Sequence, residues 1–297
     1  MNERAPLIPE QIRPDLDSLV PAVPFTRRGF VVSSLAAGFA VSAGPLMAQT
    51  MIKTPMDGIV GGPIKIPTAG GDMPGYYAAP SKAGKYPVIL VVGEVWGAHE
   101  HIQDVVRRLA KAGYFAVANE PYWKIGDLTK VTDIKEVVAS ANKLPDEQAF
   151  ADLDATVRWA EKQPSANVKR LGITGFCRGG RMVWMYTAHN KNIDAGVAWY
   201  GGLGTAGAMT TTPMDITDKL NAPVLGLYGG KDGGIPLEQV ERLRAGLLAF
   251  GKDKESIIHI YPEAGHAFNA DYRASYRKAD ADDGWKRMLA WFKKHGV

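Results

Sequence analysis

The stretch LGITGFCRGG, residues 171–180, decides the fold, and the rest of the chain can be placed around it. Cys177, the only cysteine among 297 residues, lies at the centre of a Gly-x-Cys-x-Gly pattern. An apolar run precedes the pattern, and a helix-like run over residues 181–188 follows it. This layout is typical of a nucleophile elbow, a sharp strand-to-helix turn, here with a thiol at its tip. Side chains at Gly175 and Gly179 would clash in such a turn, because the backbone folds back on itself.

Composition and charge exclude several classes of protein. The chain is 46% hydrophobic and 22% charged, which is ordinary for a globular protein with a sizeable core. Its formal net charge is only +4, and Lys and Arg are dispersed, so we expect no nucleic-acid partner. One cysteine cannot form an internal disulfide or a multi-cysteine zinc site. Cys177 is therefore either a small buried hydrophobe or a reactive thiol.

Residues 1–48 have the pattern of an export signal. Arg27 and Arg28 are followed by Gly29 and an uncharged, moderately apolar run that ends at Ala48. Paired arginines before such a run resemble a twin-arginine signal, which predicts passage through the twin-arginine export machinery to the periplasm. If the segment is not cleaved, it would serve as a membrane anchor or form a helix packed on the domain. We assign residues 49–297 to the folded domain.

After residue 50 the pattern alternates between strands and helices. Short edge strands are predicted first, then buried apolar strands separated by amphipathic helices. This alternation predicts an α/β fold with a mainly parallel, doubly wound sheet and helices on both faces. The predicted strands are residues 63–66, 75–79, 86–92, 114–118, 168–174, 193–200, 223–228 and 256–261; the predicted helices are residues 101–112, 146–162, 181–188, 236–250 and 280–294.

Two residues downstream of the elbow could activate a thiol. Asp232 follows one predicted strand and His266 follows the next, in the nucleophile–acid–histidine order of elbow enzymes. The carboxyl ends of parallel strands share one edge of the sheet, so Cys177, Asp232 and His266 could converge there. Each has an alternative interpretation, since Asp232 could form a turn and His266 could cap a loop. His189, His259 and His295 are less suitable as the base. His189 ends the helix after the elbow, His259 lies inside a predicted strand, and His295 is near the C-terminus.

Glu94 follows the strand at residues 86–92 and is the fourth candidate. A buried carboxylate near a thiol would have a raised pKa and could accept the thiol proton. Alternatively, Glu94 forms a salt bridge with Arg178 or Arg181. The backbone N–H groups of Val95 and Arg178 are candidates for an oxyanion hole.

From about residue 60 onward, the chain resembles the dienelactone hydrolase (carboxymethylenebutenolidase) family, which has the α/β-hydrolase fold. The matching motifs are EVWG at 94–97, GFCRGG at 175–180, YG at 200–201, GKD at 230–232 and AGHAF at 264–268. The resemblance implies a Cys177–His266–Asp232 triad, with Glu94 alternately holding the resting thiol and taking its proton. It also implies hydrolysis of a small-molecule ester or lactone through a thioester, without a cofactor.

The chain departs from the family where substrate is bound. Members that open dienelactone clamp its carboxylate with arginines, one of them four residues after the catalytic histidine; that position is Ala270 here, and the nearest arginine is Arg273. The other clamp region contains Lys124, a point charge in place of a bidentate fork. We therefore expect a different substrate, bound by Tyr122, Lys124, Tyr200 and Arg273.

Other functions have weaker support. His99 and His101 could be read as metal ligands. Because one residue separates them at the start of a helix, their side chains are predicted to point to opposite sides, so no metal site is expected. The missing arginine clamp would suit an exported binding protein that keeps the fold without turnover. A thiol peptidase or acyltransferase would also fit the triad. The sequence specifies no oligomeric state.

Overall fold

The computed structural model describes residues 51–252 and 254–297. The strands are β1 Ile59–Thr68, β2 Gly71–Pro80, β3 Tyr86–Val92, β4 Phe115–Asn119, β5 Ala166–Phe176, β6 Ala195–Trp199, β7 Val224–Gly229 and β8 Ile257–Tyr261. The helices are α1 Glu100–Lys111, α2 Ile134–Ala141, α3 Asp146–Glu161, α4 Arg178–His189, α5 Leu237–Ala249 and α6 Lys278–Lys294. Short 3-10 helices occupy Leu128–Lys130 and Pro213–Lys219. The signal predicted for residues 1–48 lies outside the described residues.

One eight-stranded sheet has the order β1-β2-β4-β3-β5-β6-β7-β8. The β1–β2 hairpin and the β2–β4 pair are antiparallel, and every later pair is parallel. The predicted α/β-hydrolase fold is confirmed. The first hairpin is longer than predicted, because its two strands pair over ten residues each despite their glycines.

Helices cover both faces of the sheet, as β6 shows. A side chain at Gly196 would meet Val183 of α4, with Cβ 2.8 Å from its Cγ1. Trp199, three residues later, packs against Gly284 of α6. Side chains alternate between faces along a strand, so α4 and α6 lie on opposite sides of the sheet. The fully buried strands β4, β6 and β7 fill the layer between them, together with β3, which is buried except for its first residue, Tyr86.

The parallel strands bring the candidate side chains to one edge. Cys177 directly follows β5, Tyr200 directly follows β6, and Glu94 follows β3 by two residues. Asp232 and His266 lie in the loops after β7 and β8. No helix among the described residues has both the length and the apolar character needed to cross a membrane.

Candidate active site

Cys177 occupies a strained turn between β5 and α4. Its φ of 55° and ψ of −114° are values that non-glycine residues rarely adopt. A Cβ at Gly175 would lie 2.3 Å from the Gly179 carbonyl oxygen, and one at Gly179 would lie 2.2 Å from the Val92 carbonyl oxygen. The elbow predicted from Gly-x-Cys-x-Gly therefore forms. The Cys177 N–H donates to the Trp199 carbonyl at 3.0 Å, which ties the turn to β6.

Asp232 and His266 form a buried pair. His266 Nδ1 lies 2.8 Å from Asp232 Oδ2. The other carboxylate oxygen, Oδ1, accepts the N–H groups of Gly234 at 2.9 Å and Ile235 at 3.2 Å, so the carboxylate is fixed in place. Burial lowers the pKa of His266, but the charges and hydrogen bonding of Asp232 and Cys177 outweigh burial and raise that pKa well above its ordinary value. This ring is suited to take a proton from the thiol.

Cys177 and His266 line the same cavity, whose volume is about 410 Å³. Val95 and Arg178 also line it. Arg178 is the first residue of α4, so its N–H belongs to the helix-terminal donors that have no intrahelical acceptor. Val95 lies in a tight turn after β3, closed by the Gly97 N–H donating to the Glu94 carbonyl at 3.1 Å. Both residues predicted for the oxyanion hole thus belong to the cavity wall.

Glu94 is buried behind this wall. Its Oε2 accepts a hydrogen bond from the Tyr272 hydroxyl and lies 3.5 Å from His99 Nε2. Its Oε1 is buried and accepts no hydrogen bond from any residue that the structure describes. Burial alone would raise the pKa of Glu94, but the close contact with His99 and the positive charge of Arg273 help to hold it at about 2. The expectation of a raised pKa is wrong, because burial comes with these partners.

The two arginines of the elbow helix have other partners than Glu94. Arg181 makes two bonds of 2.7 Å to the Asp146 carboxylate, and it also donates to the Thr211 carbonyl. Arg178 donates to the side chain of Asn142. The alternative of a Glu94 salt bridge with Arg178 or Arg181 is therefore wrong, since both guanidinium groups point to the loop and helix on the far side of the elbow.

The four residues predicted to bind substrate do not line the cavity that contains Cys177. Lys124 is exposed, with Nζ 4.9 Å from the centre of the Trp123 ring and 3.1 Å from Gln148 Oε1. The connection after β4 places Lys124 beside the β1–β2 hairpin, so the prediction that Lys124 binds substrate is wrong. The other three are buried: the Tyr122 hydroxyl faces the Glu94 carbonyl at 3.4 Å, Tyr200 packs edge-on against His266, and Arg273 lies over the Trp96 ring.

Sequence reasoning missed the polar residues on the outer cavity wall. Asn142 follows α2, and Gln239 and Arg242 lie on α5. Arg242 is exposed, and no ion pair involving it occurs among the described residues. Helical spacing was the one sequence feature that could have indicated them, because Gln239 and Arg242 are three residues apart and so share a helix face.

His99 and His101 lie side by side, with ring centres 6.1 Å apart, and both contact the Tyr272 ring. The expectation that they point to opposite sides is wrong, because His99 precedes the helix as its N-cap and does not follow helical geometry. Within the described part of the chain, no group of three or more His, Cys, Asp or Glu side chains could hold a metal ion.

Comparison with known proteins gives a consistent result. The profile of the dienelactone hydrolase family matches residues 73–296. A relative from Methylorubrum extorquens, named "Putative carboxymethylenebutenolidase", is 49% identical over 286 residues, covering 95% of this chain and 98% of its own. One of the same name from Escherichia coli (strain K12) is 50% identical over 264 residues, covering 88% and 96%. The crystal structure of a "Putative Dienelactone Hydrolase" from Klebsiella pneumoniae subsp. pneumoniae has a TM-score of 0.77 at 48% identity, covering 80% of this chain and 99% of that one.

Proposed function

Because the chain belongs to the dienelactone hydrolase family and is a hydrolase, we propose that it cleaves a carboxylic ester or lactone through a thioester on Cys177. One observation carries the proposal. The strained elbow and the buried Asp232–His266 pair, which arise from strands far apart in sequence, place Cys177 and His266 on one cavity. A thiol, a base with a raised pKa and a carboxylate that orients the base are the parts of a catalytic triad.

Acylation is the first step. His266 Nε2 takes the thiol proton, and the sulfur of Cys177 attacks the carbonyl carbon of the substrate. The N–H groups of Val95 and Arg178 stabilise the oxyanion of the tetrahedral intermediate. The carbonyl–oxygen single bond then breaks, and the leaving oxygen receives the proton from His266. An ester releases its alcohol at this point, whereas a lactone keeps its new hydroxyl on the acyl chain.

Deacylation follows the same path in reverse. His266 takes a proton from water, and the resulting hydroxide adds to the thioester carbonyl. The thiolate leaves, and His266 returns the proton to it, so the acid product and the resting enzyme form together. The complete reaction therefore consumes one water molecule and one substrate molecule.

Glu94 has a different role from that of His266. Burial is the largest cause of the raised pKa values of Tyr122 and Tyr200, and the carboxylate of Glu94 and the sulfur of Cys177 add to it, so both act on the same two hydroxyls. With its own pKa held at about 2, Glu94 is a poor proton acceptor at neutral pH. We assign its open oxygen, Oε1, to accept a hydrogen bond from the resting thiol, while His266 receives the proton.

Replacement of Cys177 tests the chemistry directly. Wild-type protein should hydrolyse a short-chain aryl ester and simple lactones, form a Cys177 adduct detectable by mass spectrometry, and lose activity with iodoacetamide. Cys177→Ala should abolish turnover while the circular dichroism spectrum is unchanged. Ligand binding without a Cys177 acyl-enzyme would instead identify the protein as a non-catalytic binder on the same fold. Transfer of the acyl group to an amine in place of water would identify an acyltransferase.

We also propose that residues 1–48 direct export through the twin-arginine machinery to the periplasm. The support is the Arg27–Arg28 pair before an uncharged run, followed by a region of small residues that ends at Ala48. N-terminal sequencing of periplasmic protein should reveal a new start near residue 49, or an intact chain in the membrane fraction if the segment anchors it. Replacement of both arginines by lysine should block export. Protein starting at Met1 in the cytoplasm would contradict the proposal.

A further inference from the structure

We propose that His99 and Tyr272 are positioning residues that hold the Glu94 carboxylate as a fixed anion behind Cys177, and that α1 anchors both of them. The inference deepens the proposed function, and it rests on that function for the part Glu94 plays toward the thiol. Neither residue lines the catalytic cavity, so both would act through Glu94 alone.

One oxygen of Glu94 is occupied and the other is open. The Tyr272 hydroxyl donates to Oε2, and His99 Nε2 lies 3.5 Å from the same atom. All three side chains are almost completely buried. A carboxylate held at a single oxygen cannot rotate without losing those contacts, so Oε1 keeps one direction. Burial lowers the pKa of His99, which keeps the ring neutral, so it acts on Glu94 through a close polar contact and not as a cation.

A second layer of contacts fixes these partners. Asp271, the residue before Tyr272, lies with Oδ1 3.2 Å from His101 Nδ1 and accepts a 2.5 Å bond from Arg108 through Oδ2. Arg108 also donates to Asp104 at 2.5 Å. Helix α1 therefore carries His99 at its N-cap, and it contacts the loop that carries Tyr272 through His101 in its first turn and through Arg108 about two turns further on. Buried ion pairs of this kind cost desolvation energy, and specificity of geometry is a known reason for their use.

Groups from four directions act on Glu94. They are His99 and His101 from the start of α1, Tyr122 from the loop after β4, Tyr200 from the end of β6, and Tyr272 and Arg273 from the loop after β8. Cys177 acts on two of them, Tyr122 and Tyr200, and Asp271 contacts His101. Tyr200 and Tyr272 have pKa values raised well above the ordinary value, so they stay protonated at neutral pH. Glu94 is thus the anion at the centre of a buried set of donors.

This arrangement has a consequence for pH dependence. Loss of a donor to Oε2 weakens the anionic form, so the pKa of Glu94 rises. Below the new pKa, the carboxyl group is protonated and can no longer accept a hydrogen bond from the thiol at Oε1. The ratio of variant to wild-type kcat/KM should then fall about tenfold per pH unit below that pKa.

A carbon-13 NMR titration of glutamate side chains measures the ionisation of Glu94 without any need for turnover. Glu94→Gln assigns the resonance. In wild-type protein the Glu94 resonance should not titrate between pH 4 and 8. In Tyr272→Phe and in His99→Leu it should titrate within that range, and the acid limb of kcat/KM should move up with it. His99→Gln keeps a donor and should restore most of the wild-type behaviour. Tyr276→Phe, in the same loop, is the matched control and should change neither.

The outcomes separate this inference from the proposed function. Titration of wild-type Glu94 above pH 4, or an unchanged titration in Tyr272→Phe and His99→Leu, would overturn the inference even if Cys177-dependent turnover is present. Conversely, absence of a Cys177 acyl-enzyme together with the predicted NMR shifts would refute the hydrolase mechanism and leave Glu94 as a fixed buried anion. Equal loss of activity at every pH in Tyr272→Phe would indicate a structural role only, and would also overturn it.

Discussion

Among the residues that the structure describes, three non-glycine residues have φ values in the left-handed region, and all three belong to the candidate site. Cys177 is the tip of the elbow, Tyr200 follows β6 and packs on His266, and Ala267 follows His266 directly. Such a conformation costs on the order of 1–3 kcal/mol per residue and persists only where neighbours enforce it. The strain is thus concentrated around Cys177 and His266.

The glycines of the elbow provide a stability prediction. Gly179→Ala would place Cβ 2.2 Å from the Val92 carbonyl oxygen, so the backbone of β3 or α4 must shift. We expect a loss of at least about 2 kcal/mol in the free energy of unfolding, measured by urea denaturation. Gly204→Ala is the control, because nothing lies within 4 Å of its Cβ. Equal stability of the two variants would contradict the proposed close approach.

Asp232→Asn tests the pair that orients the base. The amide keeps the shape but loses the charge that raises the pKa of His266 and the acceptor that fixes its tautomer. We expect kcat to fall by roughly 10³–10⁴-fold, and the pKa of His266, followed by proton NMR, to fall as well. Asp282→Asn removes an exposed carboxylate and should leave both unchanged. A His266 pKa that does not move in Asp232→Asn would exclude the charge as its cause.

The sequence was sufficient to predict that Cys177, Asp232 and His266 lie at one edge of the sheet, because Cys177 directly follows a strand and the other two lie in the loops after later strands, and each strand is evident from its own local pattern. It was insufficient for Glu94. The groups that lower its pKa come from residues 99 and 272–273, and only the folded chain brings the latter to the carboxylate. A local rule, that a buried carboxylate has a raised pKa, therefore pointed in the wrong direction.

At the scale of elements, the helices outside the strand pattern shape the cavity. Helix α2 was not predicted, since it is only eight residues long, and Asp133 begins it by accepting the Lys135 N–H. Together with α5 and the loop after β6, it supplies the cavity wall opposite the thiol. The alternation of strands and helices positions Cys177, whereas these connecting segments form much of the remaining cavity wall.

Helix α5 provides a prediction about substrate charge. Arg242 is exposed on the cavity wall, so it can meet an anionic group on a substrate. We expect Arg242→Gln to raise KM for anionic esters by about tenfold, equivalent to roughly 1.4 kcal/mol, with little change for neutral esters. Added salt should reduce the difference. Lys124→Gln, which removes an exposed charge outside the cavity, should affect neither class. Equal effects of Arg242→Gln on both classes would exclude charge recognition.

At the scale of the whole molecule, the parallel sheet explains why prediction from sequence succeeded for the site's position. Five strand ends, from β3, β5, β6, β7 and β8, meet at one edge because those strands run in the same direction. That direction follows from the strand–helix alternation. The strand order, which sets the distances between the loops, could not be predicted from the sequence and is known only from the structure.

The buried anion also predicts how the fold responds to acid. The pKa of Glu94 is about 2 in the folded chain against an ordinary value of 4.5, so its ionisation stabilises the fold above about pH 4.5 and this contribution is lost as pH falls towards 2. The stability difference between wild type and Glu94→Gln, from urea unfolding at several pH values, should therefore shrink between pH 4.5 and the lowest accessible pH. Glu238→Gln, at an exposed position, should give a constant difference, and a constant difference for Glu94→Gln would contradict the assignment.

The elbow is formed by residues close together in sequence, but the contacts among the buried residues around it join distant parts of the chain. His266 meets Asp232 across 34 residues, His101 meets Asp271 across 170, and Tyr272 meets Glu94 across 178. Contacts of such long range form late, because each requires closure of a long loop. We therefore expect that, during refolding, the elbow around Cys177 forms before His266 and Glu94 reach their final positions. The rate at which Cys177 is alkylated should therefore change when these long-range contacts form. An alkylating reagent added at intervals during refolding would measure that change.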